Sequence, residues 1–189
     1  MPRTRNHALL LILTVASVAL SGGCSTAPKT KADREALHQA VASTITQFKA
    51  ADPSLNEIFN TAHGYAVFPT VGKGAWVIGG AYGRGELFEN GEMIGYVDIT
   101  QGSIGFQFGG QAYSELVFFQ TADPLNDVKN GEFEVAAQAS AVAATAGAGA
   151  NAKYQNGVMI FTRGEGGLMI EASVGGQKFA YLPKETFND

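Results

Sequence analysis

The stretch that most constrains this chain runs from Gly64 to Gln120, and its densest part reads Gly64-Tyr65-Ala66-Val67-Phe68-Pro69-Thr70-Val71-Gly72-Lys73-Gly74-Ala75-Trp76-Val77-Ile78-Gly79-Gly80-Ala81-Tyr82-Gly83-Arg84-Gly85. β-Branched and aromatic residues are interleaved with glycine at almost every second or third place, and no helical spacing survives. The pattern predicts strands. Glycine inside a strand gives up packing and backbone entropy, so its repeated use implies strands that bend, bulge or let another backbone come close.

Followed at period two, strands are predicted near 65–69, 74–88, 92–101, 103–110, 112–120, 132–146, 157–163, 167–175 and 177–182. Asn90-Gly91 is a strong hairpin signal, and Gly102, Gly166-Gly167 and Gly175-Gly176 are looser ones. Connections this short leave no room for crossover helices, so the sheet should be antiparallel. The expected class is α+β: a strongly curved antiparallel sheet, or a barrel-like one, with two or three helices including an amphipathic one at the N-terminus. Gly-Gly follows apolar strand residues at 79–80, 109–110 and 175–176, which reads as a recurring kink device. The alanine run 136–150 is ambiguous: alanine permits a helix, Gly147 and Gly149 discourage one, and the surrounding sheet favours a strand of small side chains.

Thr30-Lys31-Ala32-Asp33 has the form of a helix start. Leu37, Ala40, Val41, Thr44, Ile45 and Phe48 then recur at three- and four-residue steps up to Ala50, with Lys31, Arg34, Glu35, Gln39, Gln47 and Lys49 opposite. The apolar stripe is expected to pack on the sheet; the alternative is that the stripe, with Leu37, Val41, Ile45 and Phe48, or the helix start nearest the lipid anchor touches a membrane surface. Asp52-Pro53 should open a second, shorter helix, the aspartate capping it and Gly64 ending it. The near-copy Asp123-Pro124 should open one or two turns ending at Gly131.

Arg3 and Arg5 precede an uncharged run from Ala8 to Leu20 and the small residues Ser21, Gly22 and Gly23, the layout of a secretory signal. That run is too short to span a bilayer, which takes about 20 residues. Cys24, the one cysteine in the chain, follows directly. The arrangement looks like a lipoprotein lipobox, with Ser21 in place of the usual leucine, in which the signal 1–23 is removed and the thiol acylated. The alternative is a stray thiol in a signal peptide cut elsewhere. Ser25 after the cysteine implies, on the same resemblance, export to an outer membrane and anchoring there, facing the periplasm. Residues 24–30 are then a lipidated tether and 31–189 the domain. A chain of this size, 46% hydrophobic and 16% charged, hides about 70% of its unfolded surface without disulfides or metal.

The formal charge of −4 becomes more negative once Arg3 and Arg5 leave. This argues against nucleic acid as a partner. His7 leaves with the signal, and His38 and His63 form no ligand pair, so each is expected to be satisfied by a neighbour or facing solvent. No metal or cofactor is expected. Gly102-Ser103-Ile104-Gly105 is not a nucleophile elbow, and Gly72-x-Gly74 and Gly83-x-Gly85 do not open helices as phosphate loops do. Asp98 shares a face with Ile94, Tyr96 and Thr100; the preferred reading puts it at a strand end or bonded to a turn. The best binding group is Lys73, Trp76 and Arg84: a cation beside an aromatic ring and bare backbone can receive a lipid phosphate. The plainer alternative makes Trp76 core and the charges rim.

Gly64-Tyr65-Ala66-Val67-Phe68-Pro69, Lys73-Gly74, the run Gly79 to Gly85, Gly95-Tyr96 and the run Ser103 to Gln111 together resemble the SYLF domain, over about residues 34–183. The resemblance implies a membrane-associated, non-catalytic binding module whose relatives bind phosphoinositides or actin. The stripe from Leu37 to Phe48 occupies the place of their lipid-binding segment but carries few lysines, so it implies membrane phospholipid in general and no particular headgroup. The competing reading is a structural protein that docks envelope protein partners on the curved sheet.

Overall fold

The computed structural model describes residues 28–72, 81–101, 112–132, 134–135, 141–143, 149–164, 167–171 and 177–187. Three helices and nine strands are found there: α1 (Lys31–Ala51), α2 (Leu55–Thr61), β1 (Gly64–Gly72), β2 (Ala81–Glu89), β3 (Glu92–Gln101), β4 (Tyr113–Phe119), α3 (Ala122–Asn130), β5 (Glu134–Val135), β6 (Ala141–Ala143), β7 (Val158–Gly164), β8 (Gly167–Glu171) and β9 (Gln177–Pro183). The strands form one sheet in the order β5-β9-β3-β2-β1-β4-β7-β8-β6. Every pairing between them is antiparallel.

The sheet is curled, as the glycine-rich pattern predicts. Its two outermost strands, β5 and β6, are neighbours in the chain, and the six residue steps from Val135 to Ala141 reach at most about 20 Å. Strands far apart in the order also touch across the concave face. Phe68 on β1 meets Phe179 on β9 with ring centroids 6.1 Å apart, and Gln177 Nε2 on β9 donates to Glu115 Oε1 on β4 at 3.0 Å. In a flat sheet three strands would separate β9 from β4. Among the described residues the ladder does not close.

Period-two alternation divides the core between two faces. Ala66, Phe68, Val97, Ile99, Val117 and Phe119 line the concave face with Leu125 and Val128 of α3. Tyr65, Val67, Phe88, Leu116, Phe118 and Phe161 line the convex face under α1 and α2. Two bulges shape these faces. β1 shifts register on both sides between Val67 and Val71, around Pro69, which has no N–H to give to a ladder; the Pro69 carbonyl instead accepts from Ser114 Oγ at 2.8 Å. β3 shifts opposite Leu87 and Phe88, which pair with Gly95 and Met93, so Ile94 is the extra residue and both Met93 and Tyr96 come to the convex side.

α1 starts where the sequence predicts: Thr30 is its N-cap, and its side chain accepts from Asp33 N. Its stripe lies on the convex face, with Val41, Thr44 and Phe48 buried and Leu37 and Ile45 packed beside them. Arg34, expected among the exposed residues, is buried, its guanidinium 4.5 Å from the Phe187 ring centre. Asp52 departs from expectation as well. It caps the C-terminus of α1, while Ser54 is the N-cap of α2. The buried Asp52 carboxylate accepts from Ser54 N at 3.0 Å, Ser54 Oγ at 2.6 Å and Gly149 N at 2.7 Å, tying the start of α2 to a segment nearly a hundred residues on. Gly64 opens β1 instead of ending α2, and it is needed for close approach: a Cβ there would lie 2.6 Å from the Phe88 carbonyl oxygen. Gly131 does end α3, at φ 71°, where L side chains are strained.

Of the predicted strands, 103–110 and the first part of 74–88 lie outside the described residues. The long strand 132–146 is represented by two short pieces, β5 and β6. The 3-10 turn Gly149–Asn151 occupies the end of the alanine run, and most of that run lies outside the described residues, as do the three Gly-Gly pairs.

Candidate functional site

The convex face of β2 and β3 carries a polar strip beside the N-terminal half of α1. On β2 the residues pointing outward are Tyr82, Arg84, Glu86 and Phe88, and on β3 Tyr96 and Asp98; the register sets Arg84 opposite Asp98 and Glu86 opposite Tyr96. α1 covers one end of this strip and leaves a groove of about 220 Å³ lined by Lys31, Arg34, Glu35, His38, Glu86, Met93 and Tyr96.

Glu86 forms the floor of the groove. Its residue is 1% exposed, and its carboxylate lies 3.0 Å from His38 Nδ1, on a side chain 55% exposed. Burial pushes the Glu86 carboxyl above its ordinary range, and the His38 contact offsets only part of that. The opposite wall is aromatic: Tyr96 meets Phe187 edge-on with centroids 5.7 Å apart. Arg34 lies between that ring and the chain before α1, donating from Nη1 to the Pro28 carbonyl at 3.5 Å. Pro28, which the sequence reading assigns to the tether, is buried.

Further along the strip, Arg84 Nε donates to Asp98 Oδ1 at 3.0 Å and Arg84 Nη2 to the Tyr82 hydroxyl at 2.8 Å. Burial and the bond to Asp98 push the Tyr82 phenol up to about 12, so it stays a neutral donor. Burial raises the Asp98 carboxyl, while Arg84 and Tyr82 pull it back. Burial disfavours the Arg84 charge, but Asp98 outweighs it and the guanidinium ends above its ordinary range. Asp98 is thus a mid-strand ion-pair partner, neither at a strand end nor bonded to a turn, because the β2–β3 register brings it to Arg84.

Of the sequence-predicted site residues, Cys24, Lys73 and Trp76 lie outside the described residues. Arg84 is present on the strip with its charge committed to Asp98 and Tyr82. Leu37, Val41, Ile45 and Phe48 lie against the sheet, which occupies in this conformation the face a membrane would need. His38 and His63 both have neighbours, His63 Nε2 lying 3.2 Å from Glu89 Oε1, which sits beside Lys129 Nζ on the other oxygen. Sequence reasoning missed Glu86 and the burial of Arg34. The signal for Glu86 was its period-two position between Arg84 and Phe88; Arg34 depends on Phe187 at the far end of the chain and had none.

Among the described residues no cluster of three His, Cys, Asp or Glu side chains could hold a metal, and no helix is long and apolar enough to cross a membrane. The strip sets charges of both signs beside aromatic and thioether surface.

Comparison with known proteins gives three findings. The family model described as "Ysc84: Las17-binding protein actin regulator" matches residues 100–186, from the end of β3 past β9. Beta cell expansion factor A of Aeromonas veronii is 26% identical over 155 residues, which is 80% of this chain and 59% of that protein. The chain therefore spans about 59% of the length of this relative. A β-barrel-like protein from Brucella abortus, known from its crystal structure, aligns at 19% identity with a TM-score of 0.34, covering 84% of this chain and 98% of that one. Together with the residues quoted from Gly64 to Gln111, the family match over residues 100–186 supports the SYLF-domain family as the one to which this chain is similar.

Proposed function

We propose that this protein is a non-catalytic module that binds phospholipid at a membrane surface, exported and held there through an acylated Cys24, on the outer membrane facing the periplasm where a cell has two membranes. The observation that carries the reading is the spacing between the cysteine and the folded body. Pro28 is buried and bonded to Arg34, and the four residue steps from Cys24 to Pro28 reach at most about 14 Å. An acyl group on Cys24 would hold the mouth of the α1 groove, with Lys31 and Arg34 in it, next to the lipid headgroups. The acidic body as a whole gains little from an anionic bilayer, so binding falls to this local feature.

The test is flotation with vesicles of a chain beginning at Ser25, which lacks the acyl group and keeps every described element. The expected result is co-flotation that weakens when Lys31 and Arg34 are both replaced by Gln; recovery in the bottom fraction with every lipid mixture would count against lipid binding. A second reading, docking of a protein partner on the curved sheet, draws on the family description, which names binding to a protein. In-cell crosslinking that recovers one envelope protein, with no flotation, would favour it.

A further inference from the structure

The groove between α1 and the β2–β3 hairpin places cations and carboxylates within one small space: Lys31 and Arg34 against Glu35 and Glu86. We infer that it takes the zwitterionic headgroup of an amine-bearing phospholipid, with the phosphate toward Lys31 and Arg34 and the ammonium toward Glu86. This rests on the phospholipid-binding reading above and adds the headgroup to it.

The argument is one of charge matching. A site for a purely anionic headgroup would not have a buried carboxylate as its floor, because that charge repels phosphate with little water to screen it. A site for a simple cation would not place an arginine and a lysine at its rim. The lining is formally balanced: Lys31, Arg34 and Glu35 come from the first turns of α1, and the deepest carboxylate, Glu86, from β2. A buried carboxylate is tolerated when a positive group stands beside it. The His38 imidazole, whatever its charge, fills that place here, its Nδ1 3.0 Å away and its side chain 55% exposed, so it can turn toward solvent and leave the place to an ammonium. Tyr96 and Met93 supply the wall along which the carbons linking the amine to the phosphate lie, the aromatic face next to the cation. About 220 Å³ is small beside ordinary ligand pockets; it suits a headgroup and leaves the acyl chains in the bilayer. The short reach from Cys24 to Pro28 argues for a lipid as the source instead of a free phosphoamine.

Native mass spectrometry of the full-length chain in mild detergent tests this, titrating phosphatidylethanolamine, phosphatidylglycerol and soluble phosphoethanolamine in separate arms. The expected result is about tenfold tighter binding of phosphatidylethanolamine than of phosphatidylglycerol, with the preference lost in Glu86→Gln and kept in Glu57→Gln, an exposed carboxylate on α2 outside the groove. Phosphatidylglycerol binding as tightly as phosphatidylethanolamine to the unaltered protein would overturn the headgroup assignment and leave lipid binding standing. Loss of the preference in Glu57→Gln as well would make it an effect of overall charge and overturn the assignment too. Soluble phosphoethanolamine binding as tightly as the lipid would overturn the membrane source. Failure of all three to bind would remove the phospholipid reading itself.

Discussion

At the scale of single residues the convex strip is governed by the cost of burying charge. Asp98 is buried and depends on Arg84 and Tyr82 for compensation. Replacing Arg84 with Ala leaves that carboxylate short of its donor and should cost about 1–3 kcal/mol in urea unfolding, more than Asp98→Asn, which removes the charge together with the need for it. Glu86 gives a pH signature of definite sign. Its carboxyl lies above the ordinary 4.5 in the fold, so over the window starting at that value the folded protein keeps a proton that the unfolded chain has released. Stability therefore falls as pH rises through the window and is regained below it. Urea midpoints measured from pH 4 to pH 8 should fall more steeply for the unaltered protein than for Glu86→Gln, the two converging at the acid end; parallel curves would show that Glu86 contributes no such linkage.

The helices and strands show how far local sequence reaches. The Thr30 cap, the spacing of Val41 and Phe48, the Asn90-Gly91 hairpin and the Gly131 stop are all local features, and all appear where the sequence puts them. What the sequence did not disclose depends on distant partners. Asp52 followed by proline has the local form of a helix start, and one carboxylate oxygen does bond Ser54, but the other is taken by Gly149 N. Asp98 could be placed on a face by period two, but its pairing with Arg84 depends on the β2–β3 register, and the bulge at Ile94 determines which β3 residues join Glu86 in the groove. Two substitutions check the element-level picture. Phe48 is fully buried, so Phe48→Ala should cost about 3–5 kcal/mol, whereas a stripe kept free for a membrane would lose almost nothing. Gly85 faces the Val67 backbone at the β1 bulge, where a Cβ would fall 2.1 Å from the carbonyl oxygen. Gly85→Ala should cost about 3 kcal/mol through forced backbone movement, and thermal unfolding that matches the unaltered protein would mean the strands are not in this register.

At the scale of the molecule, a curled antiparallel sheet has two unlike faces, and this one uses them differently. The concave side is filled by aromatic and aliphatic side chains, with α3 contributing Leu125 and Val128. The convex side receives α1, whose N-terminal half stops short of covering the strip and so creates the groove. The class of fold was legible because glycine spacing and short connections determine curvature and strand direction; the groove was not, because it is made by α1, β2 and β3 meeting after the chain has folded. Cys24 lies four residue steps before the buried Pro28, which brings the groove to the membrane if Cys24 is acylated. Hydrogen–deuterium exchange of the full-length chain, compared in detergent and in phospholipid nanodiscs, tests that arrangement most directly. Slowed exchange on entering the bilayer should be concentrated in residues 29–38 and 92–97, flanking the groove; slowing confined to α3 and β7, or no difference anywhere, would contradict it.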